Sequence, residues 1–279
     1  MKSISTTNMK NFEKHLYYEE KARATINKYL HDVECFSTWL NGKSIEKSDV
    51  LAYKAKLCEQ YAPASVNAAL SSLNSFFGFM EWYDLRVKNL KIQRQIFSTN
   101  DKELSKAEYE RLLMVAKDKR NERLCLLMQT ICSTGIRVSE LNFITVDAVG
   151  RGYAQINCKG KRRRVFLSQQ LCQLLKRYIK QRKIKNGPVF VTKNGNPLDR
   201  SNIWSDMKKL CNEAGVSDKK VFPHNLRHLF ARTYYTVQKD VVRLADILGH
   251  SSVNTTRIYT MESGEIHRKQ IQQLGLLLC

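Results

Sequence analysis

No run of eighteen or more apolar residues occurs in the 279-residue sequence, which argues against a membrane-spanning helix. The opening MKSISTTNMK lacks the apolar stretch and small-residue cleavage site of a secretory signal, so a cytoplasmic location is expected. The eight cysteines, at 35, 58, 125, 132, 158, 172, 211 and 279, form no CxxC pair and no His-containing ligand cluster. Reduced, mostly buried thiols follow, with no metal expected. Also missing are GxxxxGK[ST], HExxH and any paired-carboxylate metal motif, so neither a nucleotide nor a metal cofactor is expected. Acidic residues are few: 26 Asp and Glu stand against 47 Lys and Arg, a formal net charge of +21. Solubility alone does not require so large an excess of one sign, and a polyanionic partner is its natural explanation. No segment joins an apolar face to a concentrated basic one, so a membrane surface is not the expected polyanion.

What is present is an ordinary folding sequence, 43% hydrophobic, whose length suits two medium domains. The first third reads as helix only. In ATINKYLHDVECFSTWL the residues Ile26, Tyr29, Leu30, Val33, Phe36 and Leu40 recur at three- and four-residue intervals, with Gly42 at the expected C-terminus. A helix after Ala62-Pro63 carries Val66, Leu70, Leu73, Phe77 and Met80 on one face. Such stripes predict the core of a helical bundle. After Trp82 the periodicity fades through a polar, basic stretch, and Ser105 with Glu108 has the spacing of a capping box that starts the next helix.

Within the second part, NERLCLLMQTIC predicts a buried helix that breaks at Thr134-Gly135, after which IRVSELNFI resumes a helical pattern. GYAQINC and RVFLS are β-prone and flank the basic KGKRR as a hairpin with Gly160 in its turn; PVFV reads as a further strand before the Asn194-Gly195 turn. QQLCQLLKRYIKQ, RSNIWSDMKKLCNEAG, HNLRHLFARTYYTV and DVVRLADILG each fit a helix. The expected fold is mainly α in two domains: an N-terminal helical bundle over residues 1–95, a linker over 96–103, and an α+β domain over 104–279 with a small antiparallel sheet.

Four segments of the second domain carry candidate chemistry: TGIRVSEL with Arg137, INCKGKRRRVFL with Lys159, HNLRHLFA with His224 and Arg227, and LGHSSVNTTRIYT with His250 and Tyr259. His224 and Arg227, three apart on one helix, can reach one anion together, flanking a buried stripe of Leu226 and Phe230. Arg137 offers a planar fork to two phosphate oxygens, and Glu140, one turn on, can pair with it and orient it. His250 follows Gly249, the predicted end of a helix, so its ring is expected to project from a turn. Tyr259 is a phenol of ordinary pKa about 10 that needs nearby cations and a base to act as a nucleophile.

In order and wording these segments resemble the tyrosine recombinase, or phage integrase, family, and the chain is most similar to its compact, Xer-like members. The resemblance implies a SAM-like core-binding domain followed by a catalytic domain. It implies that Tyr259 attacks a DNA phosphate to form a 3′-phosphotyrosyl bond, while Arg137 and Arg227 hold the non-bridging oxygens. Lys159 then protonates the departing 5′-oxygen, with Lys161 a nearby competitor; His250 bonds the phosphate and His224 assists proton transfer at the tyrosine. Implied too is a homo-tetramer, or an assembly with a paralogous recombinase, on paired double-stranded DNA recombination sites, working through a Holliday junction without metal or ATP. The outcome would be integration, excision, inversion or resolution. The competing expectations are a type IB topoisomerase-like enzyme and a catalytically silent DNA-binding regulator. The terminal leucines, Leu274 to Leu278, are expected to tie protomers together.

Overall fold

The computed structural model describes residues 2–92, 103–158, 161–192, 194–259 and 272. The chain divides into two compact units, Met1–Arg94 and Gln95–Cys279.

The first unit is a bundle of α1 (Thr6–Tyr18), α2 (Arg23–Leu40), α3 (Lys47–Gln60) and α4 (Pro63–Phe79). Ser5 and Asn8 close a reciprocal cap on α1, and Pro63, which has no N–H to lose, stands in the first turn of α4. The left-handed cap of α2 is Asn41, at φ 51°, with Gly42 following at φ 78°; the helix ends at Leu40, and the glycine stands just past the cap, where a helix C-terminus favours it. Phe12 and Leu16, then Ile26, Val33 and Phe36, then Val50, then Val66, Leu70, Leu73, Phe76 and Phe77 form the core, the intervals of three and four placing each set on the inner face. Tyr29, Leu30 and Met80 lie half-buried at its edge. Beyond α4, two side-chain amides hold the extended chain: Asn74 bonds both backbone groups of Val87, and Asn67 both backbone groups of Leu90.

The second unit opens with α5 (Lys106–Asp118), capped by Ser105 and Glu108 as their spacing predicts. The buried α6 (Glu122–Thr134) ends at Gly135, at φ 66°. A Cβ on Gly135 would lie 2.4 Å from the Phe230 ring, so glycine is required there for space as well as conformation. A 3₁₀ turn over Val138–Phe143 and α7 (Val146–Arg151) lead into β1 (Tyr153–Cys158) and β2 (Lys161–Phe166), an antiparallel pair with Ile156 opposite Arg163. Then come α8 (Gln169–Arg182), α9 (Arg200–Lys208), α10 (Cys211–Ala214), α11 (Pro223–Gln238), α12 (Val241–Leu248) and α13 (Val253–Thr256), with a closing 3₁₀ turn over Arg257–Tyr259.

The fold is thus mostly helical with one small antiparallel sheet. Two sequence expectations differ in detail. PVFV is no strand but lies between two isolated bridges, Thr145 with Pro188 and Val191 with Pro197; both prolines lack the N–H that a longer ladder needs. The helix expected over RSNIWSDMKKLCNEAG is two helices, α9 and α10.

Candidate active site

Arg227 anchors the site. On α11 it is only 1% exposed, the largest fully buried side chain among the described residues, so it belongs to the inner face with Leu226 and does not merely flank it, while Phe230 is only partly buried. Its fork faces the carboxyl ends of two helices: Nη1 donates to Gly135 O at 2.6 Å, just past α6, and Nη2 donates to Leu248 O at 2.8 Å, at the end of α12. Both carbonyls are orphaned by helix termination and both carry the negative end of a helix dipole, which is why a cation tolerates this burial. The Arg227 Nε–H is buried with no partner, a donor whose desolvation costs about 1–3 kcal/mol until an acceptor arrives. Burial, with the like charge of Arg137, lowers the Arg227 pKa to about 10, so the group stays cationic at neutral pH.

Arg137 caps the 3₁₀ turn that begins at Val138 and is 40% exposed, its Nη1 donating to Glu140 Oε1 at 3.0 Å. Glu140 is 1% exposed and also accepts from the Arg137 backbone N–H at 2.8 Å and from both terminal nitrogens of Arg163, at 3.0 and 2.7 Å. Burial pushes this carboxyl up, but the hydrogen bonds and charge of Arg163, with the backbone and side-chain hydrogen bonds of Arg137, hold it below its usual range. A cavity of about 410 Å³ is lined by Arg137, Asn142, Arg200, His224 and Arg227 among others, so several positive groups share one opening.

Tyr259 is buried against Ala231, Leu244 and Leu248. The ring of His228 meets it edge-on at 4.8 Å, and that of His250 lies nearly parallel at 6.1 Å. His224 packs in turn against His228, at 4.5 Å. His250 emerges directly after Gly249, the left-handed cap of α12, and links Arg227 to Thr256. Burial raises the Tyr259 phenol while Arg227, by charge and hydrogen bonding, and Arg137 pull it down; the net shift is upward. The basic surroundings therefore do not by themselves make a phenolate in the DNA-free protein. Burial and the positive neighbours lower His224, and His228 and His250 fall to about 4, so all three imidazoles are neutral at neutral pH.

Of the six candidates, Arg137, His224, Arg227, His250 and Tyr259 are gathered in one place by α11, the turn after α6 and the segment following α12. Lys159 lies outside the described residues, as do Gly160 and the terminal leucines; of Lys161 only the strand position is described. His228, Arg163 and Thr256 join the site without having been singled out in sequence. His228 is four residues beyond His224, the same helical face, and that spacing could have found it. Among the described residues no group of three His, Cys, Asp or Glu could hold a metal, and no helix is long and apolar enough to cross a membrane.

The phage integrase family model matches residues 102–265, and that of the phage integrase N-terminal SAM-like domain residues 9–83. Tyrosine recombinase XerA of Pyrococcus furiosus is 29% identical over 287 aligned positions, covering 99% of this chain and 96% of that protein. The crystal structure of XerA recombinase covers 98% of this chain and 99% of its own at 27% identity and a TM-score of 0.54. A lambda integrase dimer bound to a COC′ core site aligns with a TM-score of 0.74 at 17% identity, over 91% of this chain and 94% of that one, a likeness of fold. The chain belongs to the phage integrase family and is a site-specific tyrosine recombinase.

Proposed function

We propose that Tyr259 is the nucleophile with which this recombinase cuts DNA, and that Arg137, Lys159, His224, Arg227 and His250 complete its catalytic set. The observation that carries this is the buried Arg227 guanidinium, which keeps an unpartnered Nε–H, contacts His250 through Nη2, acts on Tyr259 by charge and hydrogen bonding, and lines a cationic cavity. A scissile phosphate entering there satisfies that donor and meets the Arg137 fork, donors fixed before the charge of the transition state develops. The phenol oxygen bonds to phosphorus as the P–O5′ bond breaks; the phenol proton passes to a neutral imidazole, with His224 assigned the task, and Lys159 protonates the 5′-oxygen. The ester energy is kept in the 3′-phosphotyrosyl bond, so rejoining to a second strand needs neither ATP nor metal.

The substrate is paired double-stranded recombination sites, exchanged one strand at a time through a Holliday junction by a homo-tetramer or with a paralogous recombinase, in the cytoplasm. Residues 1–95 serve as the core-binding domain, 96–103 as linker and 104–279 as the catalytic domain with its tail. Binding should weaken with salt, log K falling by about 0.9 per phosphate neutralised for each unit of log salt. Deleting residues 270 onward should impair synapsis more than DNA binding. The deciding experiment is a nicked suicide duplex carrying the recombination site: wild-type protein becomes covalently joined to it and Tyr259→Phe does not. A wild-type protein that never forms the adduct refutes the reading.

A further inference from the structure

We propose that Arg163 is a positioning residue whose fork on Glu140 keeps Arg137 free to hold the scissile phosphate. This rests on the role proposed above for Arg137. Glu140 is 1% exposed, and a carboxylate so buried must be neutralised and hydrogen-bonded. It has two guanidinium partners. Arg163, 15% exposed, engages both oxygens, at 3.0 and 2.7 Å, whereas the side chain of Arg137 engages only Oε1, through Nη1, and stays 40% exposed. The less exposed arginine carries most of the pairing, and the more exposed one keeps donors turned to the cavity it lines.

Without Arg163 the only guanidinium left to Glu140 among the described residues is Arg137. The carboxylate would then draw both arms of Arg137 inward, because a buried ion pair gains more from a bidentate contact than an exposed arginine loses in hydration. Arg163 is itself held by the turn that presents His250: a Cβ at Gly249 would lie 2.7 Å from Arg163 Nη1 and 2.9 Å from its Cδ. One side chain on β2 thus sets the position of Arg137 and packs beneath the His250 turn.

The test is single-turnover cleavage of the suicide duplex at saturating DNA, alongside DNA affinity. Arg163→Met should cleave about a hundredfold more slowly, the loss expected when a clamp is misplaced by about an ångström, with affinity changed by less than about threefold. Adding Glu140→Gln should restore about tenfold of that rate, by releasing Arg137, although Glu140→Gln alone slows the wild type. A residue that merely stabilised the fold would show no such reversal. Cleavage by Arg163→Met within about threefold of wild type, or a double variant no faster than the single, overturns the proposal. If Arg163→Met does not fold, Arg163→Lys, which keeps the charge and loses the fork, should be about tenfold slower, and an unchanged rate overturns it. A crystal structure of whichever variant folds should show Arg137 bidentate on Glu140; Arg137 unmoved is the contrary result. That readout stands even if wild-type protein forms no adduct, an outcome that would sink the function reading instead.

Discussion

Arg227 Nη2 lies 3.0 Å from His250 Nε2, and His250 Nδ1 lies 2.8 Å from Thr256 Oγ1. A guanidinium has no acceptor, so Nε2 must be the unprotonated nitrogen, and Nδ1–H donates to the threonine hydroxyl. The tautomer follows from its partners. Nitrogen NMR of the DNA-free protein should accordingly show a pyridine-type Nε2 on His250. Thr256→Val removes the acceptor that fixes this ring, and cleavage should slow by about tenfold, in line with the loss of a supporting contact to a site histidine. A rate unchanged by Thr256→Val would mean that Gly249 and the Tyr259 ring suffice to hold His250.

Arg227 has a structural task apart from any phosphate. It satisfies Gly135 O and Leu248 O at the ends of α6 and α12, one carbonyl with each terminal nitrogen of its fork. Arg227→Met should therefore unfold more readily in urea, by about 2–5 kcal/mol for two buried acceptors left unmet. Arg227→Lys should recover little, because one ammonium cannot copy a planar fork. Equal urea midpoints for wild type and Arg227→Lys would show that the carbonyls find other donors.

The reason Arg227 was legible as a site residue but not as a core residue is physical. Helical spacing put it on one face with His224, but an arginine is ordinarily an exposed residue, and only the meeting of two helix ends explains its burial. Arg163 was hidden differently, within the run Lys161 to Arg164, which reads as one solvated basic stretch. Strand parity separates them: Val165 and Arg163 share a face, and that face is inward, so only one arginine of the run reaches Glu140. The helices, the Ser105–Glu108 cap and the β1–β2 hairpin needed only local pattern. The split of α9 from α10 and the bridges around PVFV depend on neighbours that periodicity does not show.

In the first unit, Asn67 and Asn74 stand two helical turns apart on α4, each closing a two-bond ring with the backbone of the segment that follows. They substitute for a strand partner. Asn74→Ala leaves the N–H and C=O of Val87 unmet and should cost about 1–3 kcal/mol. Asn74→Asp should cost at least as much, since a carboxylate cannot donate to Val87 O. Hydrogen exchange should quicken at Val87 in either variant while the amide of Leu90, held by Asn67, keeps its protection; simultaneous loss at both would show that the segment opens as one piece.

The histidines give the DNA-free protein a defined pH response. His228 and His250 are each held at about 4 by burial and by neighbouring positive charge, against an ordinary value of 6.5. Below about pH 6.5 the unfolded chain takes up protons that the folded chain refuses until about pH 4, so folding stability falls as the pH drops through that interval and is fully present above it. Glu140, whose folded pKa lies below the 4.5 of a free glutamate, adds its own loss only at still lower pH. Melting temperature should therefore decline between pH 6.5 and 4.5, and His228→Gln should flatten that slope while leaving Glu140's later contribution. Bound DNA should act in the opposite sense on His250. A phosphate oxygen can accept from Nε2 only once that nitrogen carries a proton, so calorimetric titration with the site duplex near pH 6, in buffers of different ionisation enthalpy, should show proton uptake by wild type and less by His250→Asn. Identical uptake by both proteins would place the acquired proton elsewhere.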